Sequence, residues 1–393
     1  MKICFLTDSV FMHGGVARVV TTLANELSKS HEVNIICTRT DITKNYGFYN
    51  LNNEKVEVIY KRMNYSFVKK VRRKIIETIS SYINIFDKDS MIRFNSEVLY
   101  PKDIQEEFIE FINKQEYDIV IGCHAYFTIF LGIIAPYLKS KTVGWQHNMF
   151  EAYFTVRGRY AYNKKELFKY TLNNLDGNIV LTKQDLELYN KYLSKNTFQI
   201  YNPVTIESSE VAKLNTRTII SVGRLDKSKG FDLLIKAFSS IAGRFDDVRL
   251  IIVGDGEERN ELNKLIISLN LCGKVEITGF TNDVTSYYLS SCAYVCSSRW
   301  EGFPLTPVEA MKVGLPLISF DIPSAKELLG DNQYGILVRS GDVENLSNSI
   351  AKIIEDDSLK LHYSGRSIER SCDFLVDNIL QEWERVMTTI VNK

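Results

Sequence analysis

The chain reads as an α/β protein built from two doubly wound parallel-sheet domains, and three observations lead there. Short runs rich in Val and Ile alternate with segments of helical period from end to end. That rhythm breaks near residue 200 and restarts near 217, so two halves share one plan. At 393 residues the chain also exceeds what one hydrophobic core usually supports.

In the first half, strand patterns fall at Lys2 to Thr7, Glu32 to Thr38, Val56 to Tyr60, Ile119 to Cys123, Thr142 to Trp145 and Gly177 to Leu181. The second half places them at Arg217 to Val222, Arg249 to Val253, Val275 to Thr278, Tyr294 to Ser297, Leu317 to Phe320 and Gly335 to Val338. Between the halves, Tyr201-Asn202-Pro203-Val204 forms a turn, and the polar, poorly periodic sequence to Thr216 has the composition of a linker. The domains are therefore set at residues 1–203 and 204–375. Phe374, Leu375, Ile379, Trp383, Val386 and Ile390 recur at helical spacing, so 376–393 reads as an amphipathic terminal helix that packs back on the first domain. No repeat of solenoid period and no low-complexity tract occurs.

Composition narrows the functional classes. With 45% hydrophobic and 24% charged residues the chain is a folded globular protein, and 48 basic residues balance 48 acidic ones, which argues against a non-specific nucleic-acid binder. The seven cysteines are scattered without any CxxC spacing, which suits a reducing cytosol and not a disulfide framework or zinc site. The start meets Asp8 too soon for a signal peptide. The most apolar stretch, Tyr126 to Leu138, is broken by Gly132 and Pro136 and is shorter than the roughly 20 residues of a membrane helix.

In open parallel sheets, ligands bind beyond the carboxyl ends of strands, so the loops after the strands carry most chemical weight. His13-Gly14-Gly15-Val16 leads into an apolar-periodic helix and reads either as a tight turn or as an anion site at a helix N-terminus. It is not the GxGxxG fingerprint, and Gly254-Asp255-Gly256 also lacks the third glycine, so a nicotinamide enzyme is poorly supported. In Gly223-Arg224-Leu225-Asp226-Lys227-Ser228-Lys229-Gly230, Arg224 and Lys229 suit a diphosphate, although charged loops are often merely solvated. The third loop runs from Ser298 through Glu301-Gly302-Phe303-Pro304-Leu305-Thr306-Pro307 to Glu309-Ala310-Met311. Thr306 and Pro307 stand where a helix begins, Glu301 in the loop and Glu309 about a turn inside. A carboxylate beside a phosphate site is unwelcome unless it accepts sugar hydroxyls; the plainer reading is a capped helix with one exposed Glu.

These motifs, in this order and spacing, resemble the retaining glycosyltransferases of family 4, with the GT-B fold, and within them the bacterial cell-surface polysaccharide branch. The resemblance spans nearly the whole chain and is strongest from about Ile219 to Ser340, where Glu301-x7-Glu309 is the most specific element. It implies two Rossmann-like domains facing across a cleft, with acceptor on the first and nucleotide-sugar donor, UDP-linked, on the second. It implies hexosyl transfer with the anomeric configuration kept, without metal or other cofactor. Carried over, Arg224 and Lys229 hold the diphosphate, Glu301 contacts the donor sugar and Glu309 the ribose hydroxyls. The Leu305 and Thr306 amides bind phosphate, Gly15 approaches the reacting centre, Gly279 and Phe280 lie by the base, and His124 is the active-site histidine. Gly14, Gly223, Gly254, Gly302, Phe303 and Pro304 complete the donor-binding set. A donor phosphate oxygen takes the acceptor proton in the family's same-face mechanism.

The chain departs from the family at Ala17, where Glu is frequent, and at Ile322-Pro323-Ser324, where glycines are usual. His147, in Trp145-Gln146-His147-Asn148, reads as a second active-site histidine or as a structural one. Asp87-Lys88-Asp89 imitates a metal-binding Asp-x-Asp but lacks a preceding strand, so it reads as solvated loop.

Residues 61–74 carry seven basic side chains, with no acidic one before Glu77. On a helix, Val68, Val71, Ile75, Ile79, Tyr82 and Phe86 share one face while Lys69, Lys70, Arg73 and Lys74 fill the other. Such a helix either packs on the first domain with its charges in water, or attaches to an anionic membrane surface or a lipid-linked pyrophosphate, at about 1 kcal/mol per basic residue. The expected protein is thus a cytoplasmic enzyme, peripheral at the inner membrane face, that extends a lipid-linked glycan in capsule-type polysaccharide synthesis. The rivals are a GT-B epimerase or phosphorylase and a non-catalytic nucleotide-sugar-binding module.

Overall fold

The computed structural model describes residues 1–82, 88–155 and 161–393. It divides into two compact units, one of Met1–Pro203 with Val376–Lys393 and one of Val204–Leu375.

The first unit is built on a sheet of strands β1 (Lys2–Thr7), β2 (Glu32–Cys37), β3 (Val56–Tyr60), β4 (Ile119–Cys123), β5 (Lys141–Trp145), β6 (Gly177–Val180) and β7 (Thr197–Gln199). Their order is β3-β2-β1-β4-β5-β6-β7, every neighbour parallel. The sequence anticipates all but β7, whose three residues Thr-Phe-Gln are too few and too polar to show a strand pattern. Residues 3–6 of β1 and 119–121 of β4 are fully buried, as strands covered on both faces must be. The apolar stretch after β4 forms an internal helix, His124–Ile134, whose Phe127, Phe130, Leu131 and Ile134 are fully buried. No helix among the described residues is long and apolar enough to cross a membrane. The terminal helix Val376–Val391 buries Ile379, Trp383, Val386, Met387 and Ile390 in this unit, Trp383 standing edge-on to Trp145 with ring centroids 4.8 Å apart. Burying that stripe outweighs the entropy of ordering the tail.

The second unit repeats the plan with β8 (Thr218–Val222), β9 (Arg249–Val253), β10 (Val275–Gly279), β11 (Ala293–Cys296), β12 (Leu317–Asp321) and β13 (Ile336–Arg339). Their order is β10-β9-β8-β11-β12-β13, again all parallel. Its core joins Ile219, Ile252 and Val295 of the sheet to Leu234 and Phe238 of the Phe231–Ala242 helix and Ile350 of the Val343–Glu355 helix. The stretch expected to be a free linker is instead part of this unit. Val204, Ala212 and Leu214 are buried, and the Ala212 N–H donates to the Val313 carbonyl (2.8 Å). Three scattered apolar residues suffice to seat it, and no periodicity announces them.

Candidate active site

Both sheets reverse strand order between their first and fourth strands, β1/β4 and β8/β11, and the polar residues singled out by sequence gather beyond those two points. A crevice opens there because the connections on either side leave in opposite directions.

In the second unit, the loop after β8 turns through a 3-10 segment, Lys227–Lys229, capped by Asp226, whose Oδ1 accepts the Ser228 N–H (2.9 Å). Asp226 also takes Arg224, with Nε 2.7 Å from Oδ2, while the guanidinium stays largely exposed. Burial would raise the Asp226 carboxyl, but Ser228 and Arg224 outweigh it and hold it below the usual aspartate value. Gly230 ends the turn at φ 64°, where a Cβ would stand 2.1 Å from the Ser297 carbonyl oxygen. Gly254 is similarly placed: at φ 152° its missing Cβ lets the chain press on the Gly223 carbonyl, 1.9 Å from where that carbon would be. The glycines therefore close-pack the loops after β8, β9 and β11.

That packing brings Lys229 to Glu301, Nζ on Oε1, with Ser298 Oγ donating to the same oxygen (2.8 Å). Both partners are mostly withdrawn from water. Burial would depress the Lys229 ammonium, yet the Glu301 carboxylate, aided by Asp226, keeps it above the ordinary lysine value, so it is charged at neutral pH. Lys229, Glu301, Ser298, Cys296 and Thr306 line one polar recess, which the Leu305–Lys312 helix enters by its N-terminus. Thr306 Oγ1 donates to the Val222 carbonyl (3.1 Å) and meets Tyr294 Oη at 2.8 Å. The recess thus offers a fixed cation and a carboxylate whose Oε2 is uncommitted among the described residues.

Other expected donor residues stand elsewhere. Gly279 ends β10 and accepts the Gly254 N–H (3.0 Å), and Phe280 beyond it is exposed. Gly302, Phe303 and Pro304 are buried, with Phe303 packed on Phe374 at 5.3 Å, so that Phe303 anchors the loop and presents no ring to a ligand. Glu309 is placed furthest from an open ribose site. It is fully buried, Oε1 accepting Thr205 Oγ1 (2.5 Å) and Oε2 accepting Tyr288 Oη (3.0 Å). As folded, it ties the 204–214 stretch to the helix, and a ribose would have to displace Thr205.

In the first unit, Asp8 follows β1 and His124 follows β4, the neighbouring parallel strand. His124 Nε2 lies 3.2 Å from Asp8 Oδ2, and the Tyr126 amide donates to Nδ1 (3.3 Å). Nδ1 is therefore the bare nitrogen, and Nε2 carries the proton toward Asp8. His124 sits at φ 61°, a conformation unusual for a non-glycine residue and one that clusters at functional sites. Sequence reasoning missed Asp8, since only its place at the end of a buried strand marks it. Gly14 donates its N–H to Tyr49 Oη (3.1 Å), and Gly15 opens the Gly15–Leu27 helix.

His147 lies tilted against Trp145, ring centroids 4.3 Å apart, and its buried Nε2 has no hydrogen-bond partner among the described residues. Burial above all, with a smaller electrostatic contribution from the neighbouring His124, holds it down at about 3, so it is neutral at physiological pH. Unfolded, it titrates near 6.5, so between pH 6.5 and 3 the unfolded chain binds more protons and stability falls as pH falls. His147→Gln should flatten that acid-side loss, read as urea midpoints at neutral pH and within the interval. An unchanged slope would assign it to other groups.

The basic helix, Phe67–Tyr82, also differs from expectation. Lys69 pairs with Asp103 (2.5 Å), and Arg73 lies 5.3 Å from the ring centroids of both Tyr65 and Tyr126. Ser80 is buried beneath the same side, whereas Phe67, Val68, Val71, Ile75, Ile79 and Tyr82 are exposed. The surface under the helix is aromatic and acidic, which suits cations and not an aliphatic row. Lys70 and Lys74 remain outward. Phe86 and Asp87 lie outside the described residues, and Asp89 opens a 3-10 turn, Asp89–Met91, not a strand-end site.

Comparison with known proteins agrees with this architecture. A model described as "Glycosyltransferase Family 4" matches residues 13–208, and one described as "Glycosyl transferases group 1" matches 205–370. An uncharacterized glycosyltransferase of Haemophilus influenzae is 29% identical over 98% of this chain and 99% of its own length. The N-acetylgalactosamine-N,N'-diacetylbacillosaminyl-diphospho-undecaprenol 4-alpha-N-acetylgalactosaminyltransferase of Campylobacter jejuni is 32% identical over 44% of this chain and 49% of its own. Among solved structures, Anabaena HepE in complex with UDP-glucose superposes with a TM-score of 0.73 at 20% identity, covering 99% of this chain and 100% of that one. Matched through both of its units, the chain belongs to the family 4 glycosyltransferases of the GT-B fold, among relatives that build bacterial polysaccharides.

Proposed function

We propose that the protein is a retaining, metal-independent hexosyltransferase that moves a sugar from a UDP-sugar to a lipid-linked glycan at the inner face of the cell membrane, in capsule-type polysaccharide synthesis. The observation that carries this is the partly buried Lys229–Glu301 pair at the switch point between β8 and β11. Lys229, with the exposed Arg224 swung from Asp226, neutralises the diphosphate as it leaves, and the first amides of the 305–312 helix face the same charge. Glu301 accepts hydroxyls of the donor sugar through the oxygen that Lys229 leaves open. A UDP donor is supported by the UDP-glucose bound to HepE, and a lipid-linked acceptor by the diphospho-undecaprenol in the name of the Campylobacter enzyme. With cations standing where a divalent ion would otherwise sit, no metal is required for departure of the nucleotide.

The test is a mass-spectrometric screen of nucleotide sugars for release of free nucleotide, followed by NMR assignment of the anomeric configuration in the product. Release from a UDP-sugar with retention, persisting in chelator, is expected. Donor binding without nucleotide release would make the protein a binding module, and loss of activity in chelator with recovery in manganese would refute the metal-free reading.

A further inference from the structure

The 67–82 helix shows water a continuous apolar stripe. Phe67 is 81% exposed, Val68 73%, Ile75 53% and Tyr82 71%, with Val71 and Ile79 exposed between them. At 100° per residue these side chains lie within one sector, and Phe94, with Arg72 5.4 Å from its ring, continues the surface. Monomeric proteins seldom leave such a patch uncovered. Its rim is basic: Lys70 and Lys74 on one flank and Arg72 on the other, all exposed.

We infer that this stripe is a membrane anchor that inserts apolar side chains into an anionic bilayer surface, the helix lying in the plane of the interface. The inference rests on the lipid-linked acceptor proposed above and deepens it: the attachment is apolar first, and the basic residues that assist are Lys70, Arg72 and Lys74. Lys69 and Arg73 take no part, being engaged by Asp103 and by Tyr65 and Tyr126. Charge complementarity selects this occupant. No acidic side chain occurs from residue 61 to 76, so a second copy seated on the stripe would set two basic rims against each other, whereas anionic headgroups meet the rim while acyl chains meet the stripe.

The test is sedimentation of the full chain with phosphatidylcholine vesicles, with and without phosphatidylglycerol, across a salt series. The parent should bind the anionic vesicles and keep part of that binding at high salt, because screening weakens the rim but not the insertion. Changing Val68, Val71, Ile75 and Ile79 together to Ser should lower partitioning by at least about tenfold, with the thermal midpoint and donor hydrolysis unchanged since these side chains are exposed. Lys70→Ser with Lys74→Ser should cost several-fold on anionic vesicles, and only at low salt. The inference is overturned if the parent ignores vesicles, if the four-serine variant binds as the parent does, or if the parent dimerises in solution and that variant is monomeric. Nucleotide release from the soluble donor needs no vesicle, so failure here and failure of the donor assignment give different results.

Discussion

Alanine at Lys229 is expected to lower turnover by roughly two to three orders of magnitude, the usual cost of removing a preorganised group that meets developing charge. The ammonium is fixed by Glu301 and sits in a recess largely closed to water, where no solvent dipole can replace it at the moment the nucleotide departs. Removing it also leaves the Glu301 carboxylate withdrawn from water with Ser298 as its one remaining partner among the described residues, so the single variant should lose stability as well. Lys229→Ala combined with Glu301→Gln removes the stranded charge. That double variant should recover most of the thermal midpoint and none of the turnover, which separates chemistry from folding. Arg224→Ala should cause a comparable loss of turnover with little change in stability, because its guanidinium is exposed and its ion pair with Asp226 lies at the surface. Parental nucleotide release in both single variants would end the assignment of these residues to the leaving group.

Much of this was legible in the sequence for a physical reason: parallel strands buried on both faces are written as Val and Ile runs, and loops that must pack backbone against backbone are written with glycine. The Gly223 to Gly230 and Glu301 to Glu309 segments each hold their chemistry within a few residues, so reading along the chain finds them. What was not legible depends on partners far apart. Asp8 meets His124 across 116 positions, and Glu309 meets Thr205 across 104. The 67–82 helix illustrates another limit. Its period separates an apolar face from a basic one, but which face turns inward is decided by Tyr65, Tyr126 and Asp103, supplied by other segments. Aromatic rings and a carboxylate under a helix favour cations, and the general rule that aliphatic residues face the core gives way there.

Glu309→Ala is expected to destabilise the C-terminal unit by about 2–3 kcal/mol, since it opens a void at a fully buried position and removes the acceptor that Tyr288 and Thr205 share there. Tyr288 keeps a second acceptor in the Thr306 carbonyl at 3.3 Å, which limits the loss on that side. Glu309→Gln should cost far less: its amide oxygen still accepts Thr205, while Tyr288 turns its hydrogen to Thr306. If that is the residue's main work, nucleotide affinity measured by calorimetry should fall in the alanine variant only as far as the 204–214 stretch and the 305–312 helix loosen together. The glutamine variant should then bind nearly as the parent does. Thr205→Ala gives the complementary result, taking the threonine hydroxyl from Oε1 without removing the carboxylate, and should leave nucleotide affinity unchanged or raised. The opposite pattern, an alanine variant as stable as the parent that binds nucleotide poorly and a glutamine variant equally poor, would mean that the carboxylate leaves Thr205 to grip the ribose on binding. Stability and affinity therefore have to be measured on the same variants, because a buried acid that anchors a ligand-bearing helix lowers both when lost, and only the glutamine and Thr205 substitutions tell the anchor from the ligand.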